Sequence, residues 1–455
     1  MKKWGLVFAA MALMLAACGK DGGNGESASP KASAEGSAGA SASPSASQPA
    51  SSEENVELTF AQWGTAEQVA ATQKLLDIFT QKNPNIKVKL VYKDWGSYWT
   101  WITTQAASKD LPDVYKMSFA YVDKYAKLGA MKELDSLISA NGFDVAGQFE
   151  APLLAMHQSG GKQVSLPRDA NTVVLYYNKD LFDAAKLPYP ENGMAWDQVL
   201  EIAKKLTVDE KGNTADSAGF DANKIKQWGI VADAAGMADA VLEPQLWSNG
   251  ARLVDDGGKL ALNTPEATQV LEFFRDLTAK YHVNPKTSTI QGMGGNPILA
   301  FGTGKFAMAF GGSWSATDFA TASFKFGAAL PPKFKEVQTV VQPAGYAMSP
   351  FTKKEAAAWK LLSWLSGEEG QTEMAKLNDG IPANKLAAQA YLAGDMADLK
   401  QLFLDAQAKA IPSAWSDGRD RLMWEFIPQK LALPLQGDGD LAKAVKEIEG
   451  LMANP

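Results

Sequence analysis

The chain has 455 residues, 46% of them hydrophobic and 21% charged, with a formal net charge of −7. This is the composition of an ordinary globular protein, and its mild acidity without any basic run argues against nucleic acid or anionic lipid as partners. One cysteine and two histidines, His157 and His282, supply no disulfide framework and nearly exclude a zinc site or a histidine-based triad.

Lys2 and Lys3 precede an apolar run from Trp4 to Ala17 that closes on Leu15-Ala16-Ala17-Cys18. A positive start, a short apolar core and small residues before a thiol are built like a bacterial lipoprotein signal peptide, cleaved before the cysteine and lipidated on it. The run falls short of the roughly 20 residues that a bilayer-crossing helix needs. Residues 1–17 are therefore expected to be removed, Cys18 to carry the lipid anchor, and 18–55 to form a disordered tether. From Gly19 to Asn55 there is no Val, Ile, Leu, Met, Phe, Tyr or Trp, so nothing offsets the entropy of ordering the segment. A coil of about 36 residues reaches about 30–35 Å on average.

From Val56 onward about 400 residues remain, more than one core serves well, which predicts two domains. Val56, Leu58 and Phe60 alternate as in a strand that ends at Trp63-Gly64. Val69, Thr72, Leu76 and Phe79 follow at helical spacing, and Ile86, Val88, Leu90 and Tyr92 alternate again before Asp94-Trp95. This is a βαβ unit, and ligands of open α/β sheets bind beyond the carboxyl ends of the strands, where Trp63 and Trp95 fall. A short strand is predicted over 111–115 and a buried one over Val173–Tyr177. A helix is expected from Trp196, a hairpin across 252–262, a helix opened by Pro265, and a last helix carrying Leu441, Val445, Ile448 and Leu451. Alternating strands and helices predict an α/β architecture.

Several segments in order carry a family likeness: Leu111-Pro112-Asp113-Val114, Leu175-Tyr176-Tyr177-Asn178-Lys179-Asp180-Leu181-Phe182, Trp196-Asp197, Phe301-Gly302-Thr303-Gly304-Lys305-Phe306-Ala307-Met308, Gly312-Ser313-Trp314 and Gly345-Tyr346. Over nearly the whole body the chain resembles the family 1 extracellular solute-binding proteins, the sugar-binding lipoproteins of ABC importers that include the maltose-binding proteins. The resemblance implies a two-lobed, doubly wound α/β fold with the ligand in the cleft and three crossings between lobes. By analogy these lie near Leu166 to Asp169, near Pro343 to Met348, and between about Asp398 and Pro412. The amino-terminal lobe would comprise 56–167 and 345–405, and the carboxyl-terminal lobe 168–344 and 406–455.

A sugar offers an apolar C–H face and an edge of hydroxyls, so its receptor needs flat aromatic surfaces and a few fixed polar groups. The resemblance places a stacking aromatic at Trp314 and another after the third crossing, at Trp415 or else Trp424. Strand-end position points to Trp63, with Trp95 and Trp247 as further candidates. Among polar groups, Asp169 beside Arg168 at the first crossing could accept two sugar hydroxyls or serve as an Arg-paired hinge charge. Tyr346 lies at the second crossing, and Tyr177, Glu67 and Asp113 complete the candidate site. Trp101, Trp359 and Trp364, at helical spacing with leucines and isoleucine, are expected in cores, and Trp196 at a helix start.

Enzyme motifs fail on inspection. Gly302-Thr303-Gly304-Lys305 is followed by Phe306 where a phosphate loop needs Ser or Thr, and Gly311-Gly312-Ser313-Trp314-Ser315 is not a nucleophile elbow. Asp209-Glu210-Lys211-Gly212-Asn213 lacks the alternating oxygens of a calcium loop. A glycoside hydrolase needs only two carboxylates and survives as a weak alternative. The expectation is a non-enzymatic, lipid-anchored monomer without cofactor or metal. It would hold a carbohydrate, and the sugar would pass to membrane permeases at the outer face of a Gram-positive cell. A polyol, a sugar phosphate or a peptide is the alternative ligand.

Overall fold

The alternation that opens the body sets the first sheet. In the computed structural model, which describes residues 55–255, 257–293, 295–412 and 418–453, β1 (Val56–Trp63) runs parallel to β2 (Ile86–Lys93), from Val56 opposite Ile86 to Trp63 opposite Lys93. The expected signal peptide, Cys18, the tether up to residue 54, and Trp415 lie outside the described residues. Helix α1 (Ala66–Lys82) makes the crossover and starts on a capping box, with the Thr65 hydroxyl accepting from the Gln68 amide and the Gln68 side chain accepting from the Thr65 amide. Its Leu75, Leu76 and Phe79 pack on Leu58 and Phe60. Helix α2 (Trp95–Ser108) is capped by Asp94, which accepts from the Ser97 amide at 3.0 Å.

The third strand, β3 (Val114–Ser118), begins later than the predicted 111–115. Pro112 has no amide to give a ladder, and the Asp113 carboxylate takes the Thr59 amide at 2.9 Å instead. Two strands from later in the chain complete the sheet, β4 (Ser165–Pro167) and, beyond the strands of the second lobe, β9 (Ala344–Met348). Their order with the others is β2-β1-β3-β9-β4. The second lobe is built on β5 (Val173–Asn178), flanked on both sides by antiparallel strands β6 (Met308–Gly312) and β7 (Phe326–Ala329). One face of β5 (Val173, Leu175) packs with Trp196 and Val199, and the other (Val174, Tyr176) with Phe301 and Phe319. Burial on both faces explains the unbroken apolar run. Among the described residues the predicted hairpin over 252–262 reduces to a single antiparallel bridge, Val254 opposite Leu260.

After β8 (Thr339–Val341) and β9 (Ala344–Met348), helix α3 (Glu355–Ser366) lays Trp359, Leu362 and Leu365 on the first sheet. Each such buried side chain contributes about 1.5–3 kcal/mol. Helix α4 (Glu368–Lys376) follows. Helix α5 (Ala397–Gln407) then packs on β5, β7 and β8, with Phe403 and Ala406 in the core of Val174 and Tyr176. This corrects the expected lobe assignment. The third crossing runs through Asn378–Asn384 and not 398–412, so the segment up to residue 405 does not all belong with the first lobe. Amphipathic spacing identified the helix but could not say which sheet would take its apolar face. The last strand, β10 (Ala410–Pro412), pairs with β8.

The three passages, 168–172, 342–343 and 378–384, meet at one buried ion cluster. Arg168 and Asp169 are 3% and 1% exposed. The guanidinium pairs with both Asp169 and Asp379 and also donates to the Asp379 carbonyl at 2.9 Å, while Asp169 accepts the Ala344 amide at 2.7 Å. One arginine therefore ties the first passage to the third, and its aspartate partner ties the first to the second. The described residues fall within a single compact unit. Arg168→Met strands two buried carboxylates and is expected to cost about 3–5 kcal/mol in urea unfolding. Lys124→Ala, which removes a partly exposed pair with Asp420, is expected to cost less than about 1 kcal/mol.

Candidate functional site

Trp63 is the last residue of β1, Trp95 follows the end of β2, and a short turn carrying Tyr121 follows β3. Parallel strands thus deliver three aromatic rings to one edge of the first sheet, where α2 adds Trp99. The Trp63 ring lies 5.1 Å from that of Trp95 and 5.3 Å from that of Trp99, and Trp99 lies 4.1 Å from Tyr121. Trp95 remains 43% exposed, so the cluster presents a face and is not sealed as core. The second lobe contributes Trp424, 4.6 Å from Tyr121 and 6.3 Å from Trp95. The Thr65 hydroxyl donates to Asp318 at 2.9 Å, and Lys124 pairs with Asp420 at 3.1 Å, so the lobes meet across the cleft.

Polar groups surround the rings. Lys116 lies on β3 next to Gln62 of β1, its ammonium 4.4 Å from the Trp63 ring centre. Burial, helped by Arg168 and opposed by Asp169 and Asp379, lowers this lysine to about 8. The Gln62 carbonyl accepts from Thr72 at 2.8 Å, and among the described residues its buried Nε2 has no partner, nor has the Trp99 Nε1. These donors lack acceptors of the kind a hydroxylated ligand carries. From the second lobe Asp239 offers the opposite chemistry. It accepts from Gln342 Nε2 at 2.8 Å, and burial, with Glu243 adding, pushes its carboxyl up to about 6. Asp239 and Trp424 each sit on a π-helical turn, Ala238–Leu242 and Leu422–Phe426, and the two turns pack together. Such turns interrupt the helical period and are frequent at functional sites.

The predicted residues do not all converge here. Trp63 and Trp95 belong to the cluster, and exposed Glu67 lies near enough to Asp318 to help raise it, after burial. Trp314 is half-buried beyond β6, its indole against Gly312, where a Cβ would collide with the ring. The adjacent Ser313 donates to Asn171 of the first passage at 2.9 Å, which keeps Trp314 at the hinge side of the second lobe. Asp169 is corrected to the hinge charge, both carboxylate oxygens being taken within the protein. Tyr346 is buried at 1% exposure in the first core, its hydroxyl pushed up to about 12 by burial. Tyr177 lies at the end of β5 far from the passages, packed on Phe182 and Tyr189. Asp113 lies at the start of β3, opposite the cleft edge, bonded to Thr59 and Thr352. Trp247 packs on the second core.

Sequence reasoning missed Lys116, Trp99, Tyr121 and Asp239. The strand-end rule that found Trp63 would have found Tyr121 too. Asp239 gave no periodic signal because of its π turn. Among the described residues no group of three His, Cys, Asp or Glu could hold a metal, and no helix is long and apolar enough to cross a membrane.

Residues 74–403 match the family model described as bacterial extracellular solute-binding protein. The chain is 32% identical over 222 residues to an Escherichia coli K12 sequence carrying the name of an ABC transporter periplasmic-binding protein, a stretch covering 47% of this chain and 46% of that one. It is 24% identical over 311 residues to the maltodextrin-binding protein of Bacillus subtilis strain 168, covering 68% and 69% of the two chains. Its fold is similar to that of an ABC substrate-binding protein of Listeria monocytogenes solved in complex with cycloalternan, with a TM-score of 0.78 at 24% identity over 88% of this chain and 98% of that one.

Because the folded state holds the Asp239 proton more tightly than an ordinary carboxyl, its ionised form opposes folding above about pH 6, and the opposition fades as pH falls towards 4. Asp239→Asn is expected to stabilise the protein by about 1–2 kcal/mol at pH 8 and hardly at all at pH 4, read by urea unfolding at both values.

Proposed function

We propose, for a chain that belongs to the bacterial extracellular solute-binding proteins, that it is the receptor of an ABC importer and traps an oligosaccharide between its lobes. The observation that carries this reading is the aromatic face shared by Trp63, Trp95, Trp99 and Tyr121 of the first lobe and Trp424 of the second. Sugar rings stack their C–H faces on such surfaces, and the unpartnered donors at Gln62 and Trp99 with the acceptor at Asp239 suit hydroxyls along the edge. Relatives named for maltodextrin and crystallised with cycloalternan are in keeping with it.

The open first lobe would receive the sugar on Trp95, and rotation about the three passages would bring Trp424 and Asp239 onto its other side. Trp314 forms a second platform nearer the hinge, and Glu67 lies at the rim. Binding and release, with no bond made or broken, is the whole of the chemistry. The closed monomer docks on membrane permeases, held at the outer cell face of a Gram-positive bacterium by a lipid on Cys18 and the tether that follows.

Thermal unfolding against mono- and oligosaccharides, polyols, sugar phosphates and peptides tests the ligand class. An oligosaccharide at about a hundred times its dissociation constant is expected to add about 2.7 kcal/mol of stability. Trp95→Ala and Trp314→Ala are each expected to weaken its binding at least about tenfold without unfolding the protein. A response to a polyol, phosphate or peptide alone would overturn the carbohydrate reading. The anchor is tested by feeding cells labelled palmitate: the protein is expected to take up label, and Cys18→Ala to lose it and enter the medium.

A further inference from the structure

The passages have a second side. Behind them a cavity of about 470 Å³ is walled by Leu153 of the first lobe, Leu404 of the second, and Ala170, Val341 and Ile381 of the passages or their ends. Neighbouring residues on an extended chain point opposite ways, and the passages use this to divide the molecule. Gln342 reaches forward to Asp239 in the cleft while Val341 faces the cavity. Asn171 bonds Ser313, beside Trp314, while Ala170 faces the cavity.

The walls are largely apolar, with Glu150 and Lys385, which pair at 3.7 Å, and Asn384 and Gln407 adding polar groups, and the tyrosine among them points to a ligand. Tyr391 is 4% exposed and lines the cavity, yet among the described residues nothing hydrogen-bonds its hydroxyl. Burial keeps that hydroxyl protonated, so it is available as a donor. The size falls within the range of about 300–1,000 Å³ typical of small-molecule pockets. Because the cavity is walled by both lobes, its volume is tied to their rotation. Parting the lobes at the front swings their rear walls together and narrows it.

We propose that this cavity is a second ligand site, taking a small amphipathic molecule with an apolar body and one hydrogen-bond-accepting head at the Tyr391 hydroxyl, and that its occupation favours the closed lobes. Linkage makes the effect reciprocal: whatever closes the cleft tightens binding behind it. The proposal rests on the two-lobed closure and not on the identity of the cleft's ligand.

Anilinonaphthalenesulfonate, an apolar fluorophore with an anionic acceptor head, is the probe. Titrated into the purified full-length protein, it is expected to show one saturable site and to make the particle more compact by small-angle X-ray scattering. Ala388→Trp, which fills the cavity from a partly exposed helix position, is expected to weaken binding by about tenfold or more. Tyr391→Phe, which preserves the ring and removes only the donor, is expected to weaken it about two- to tenfold. Circular dichroism checks that both variants fold. Probe fluorescence that is the same in both variants and the wild type, or binding without a change in scattering, overturns the proposal. Neither readout uses a sugar, so such a failure is separate from a failure of the carbohydrate reading, which the ligand panel decides.

Discussion

The buried guanidinium of Arg168 is the constraint on which the rest depends. It is buried at 3% exposure, so it is held by Asp169 from its own passage and Asp379 from the third, and Asp169 in turn holds the amide of Ala344 in the second. With Lys116 alongside, two positive and two negative groups balance in a region of low dielectric, where an unmatched charge would be costly. The contacts that join the lobes at the front are of another kind: a hydroxyl to a carboxylate, a partly exposed ion pair, a few ring edges. A strong hinge and a weak front seam let the lobes part without loosening the axis about which they turn.

That asymmetry gives the cleft its character. The first lobe supplies most of the aromatic surface and the donors, and the second supplies Trp424 and the carboxylate of Asp239. Neither half alone encloses a ligand. On the proposed function, affinity would depend on closure, and closure on a ligand held between the rings, which is how a binding event would become a change of shape.

Much of the architecture could be read from the chain. The β1-α1-β2 unit, the doubly buried β5, and the placement of Trp63 and Trp95 at strand ends follow from alternation and from the rule that ligands sit beyond parallel strands. The site was less legible for reasons that individual residues make plain. Asp169 is adjacent to Arg168 in sequence, but the carboxylate that shares its arginine is 211 residues from it. Tyr346 and Tyr177 sit on strands whose periodicity marks them as inward-facing without saying whether inward means core or cleft. Asp239 and Trp424 ride on π turns, which leave no trace in a helical period. Helix α5 has a clear apolar face, and only the folded chain shows which sheet it covers.

The order of strands in the first sheet has a consequence for how the chain comes to be folded at all. Between β3 and β4, both made early, lies β9, whose residues 344–348 follow the whole strand framework of β5, β6 and β7 in the second lobe. Of the helices that share one face of this sheet, α1 is made early, but α3 and α4 come later still. The first domain to emerge from a ribosome is thus the one that cannot close until most of the chain has been made. Contacts so far apart in sequence form slowly. For a member of an extracellular family that delay is useful, since a polypeptide that has not yet collapsed is one that can still be threaded through a membrane.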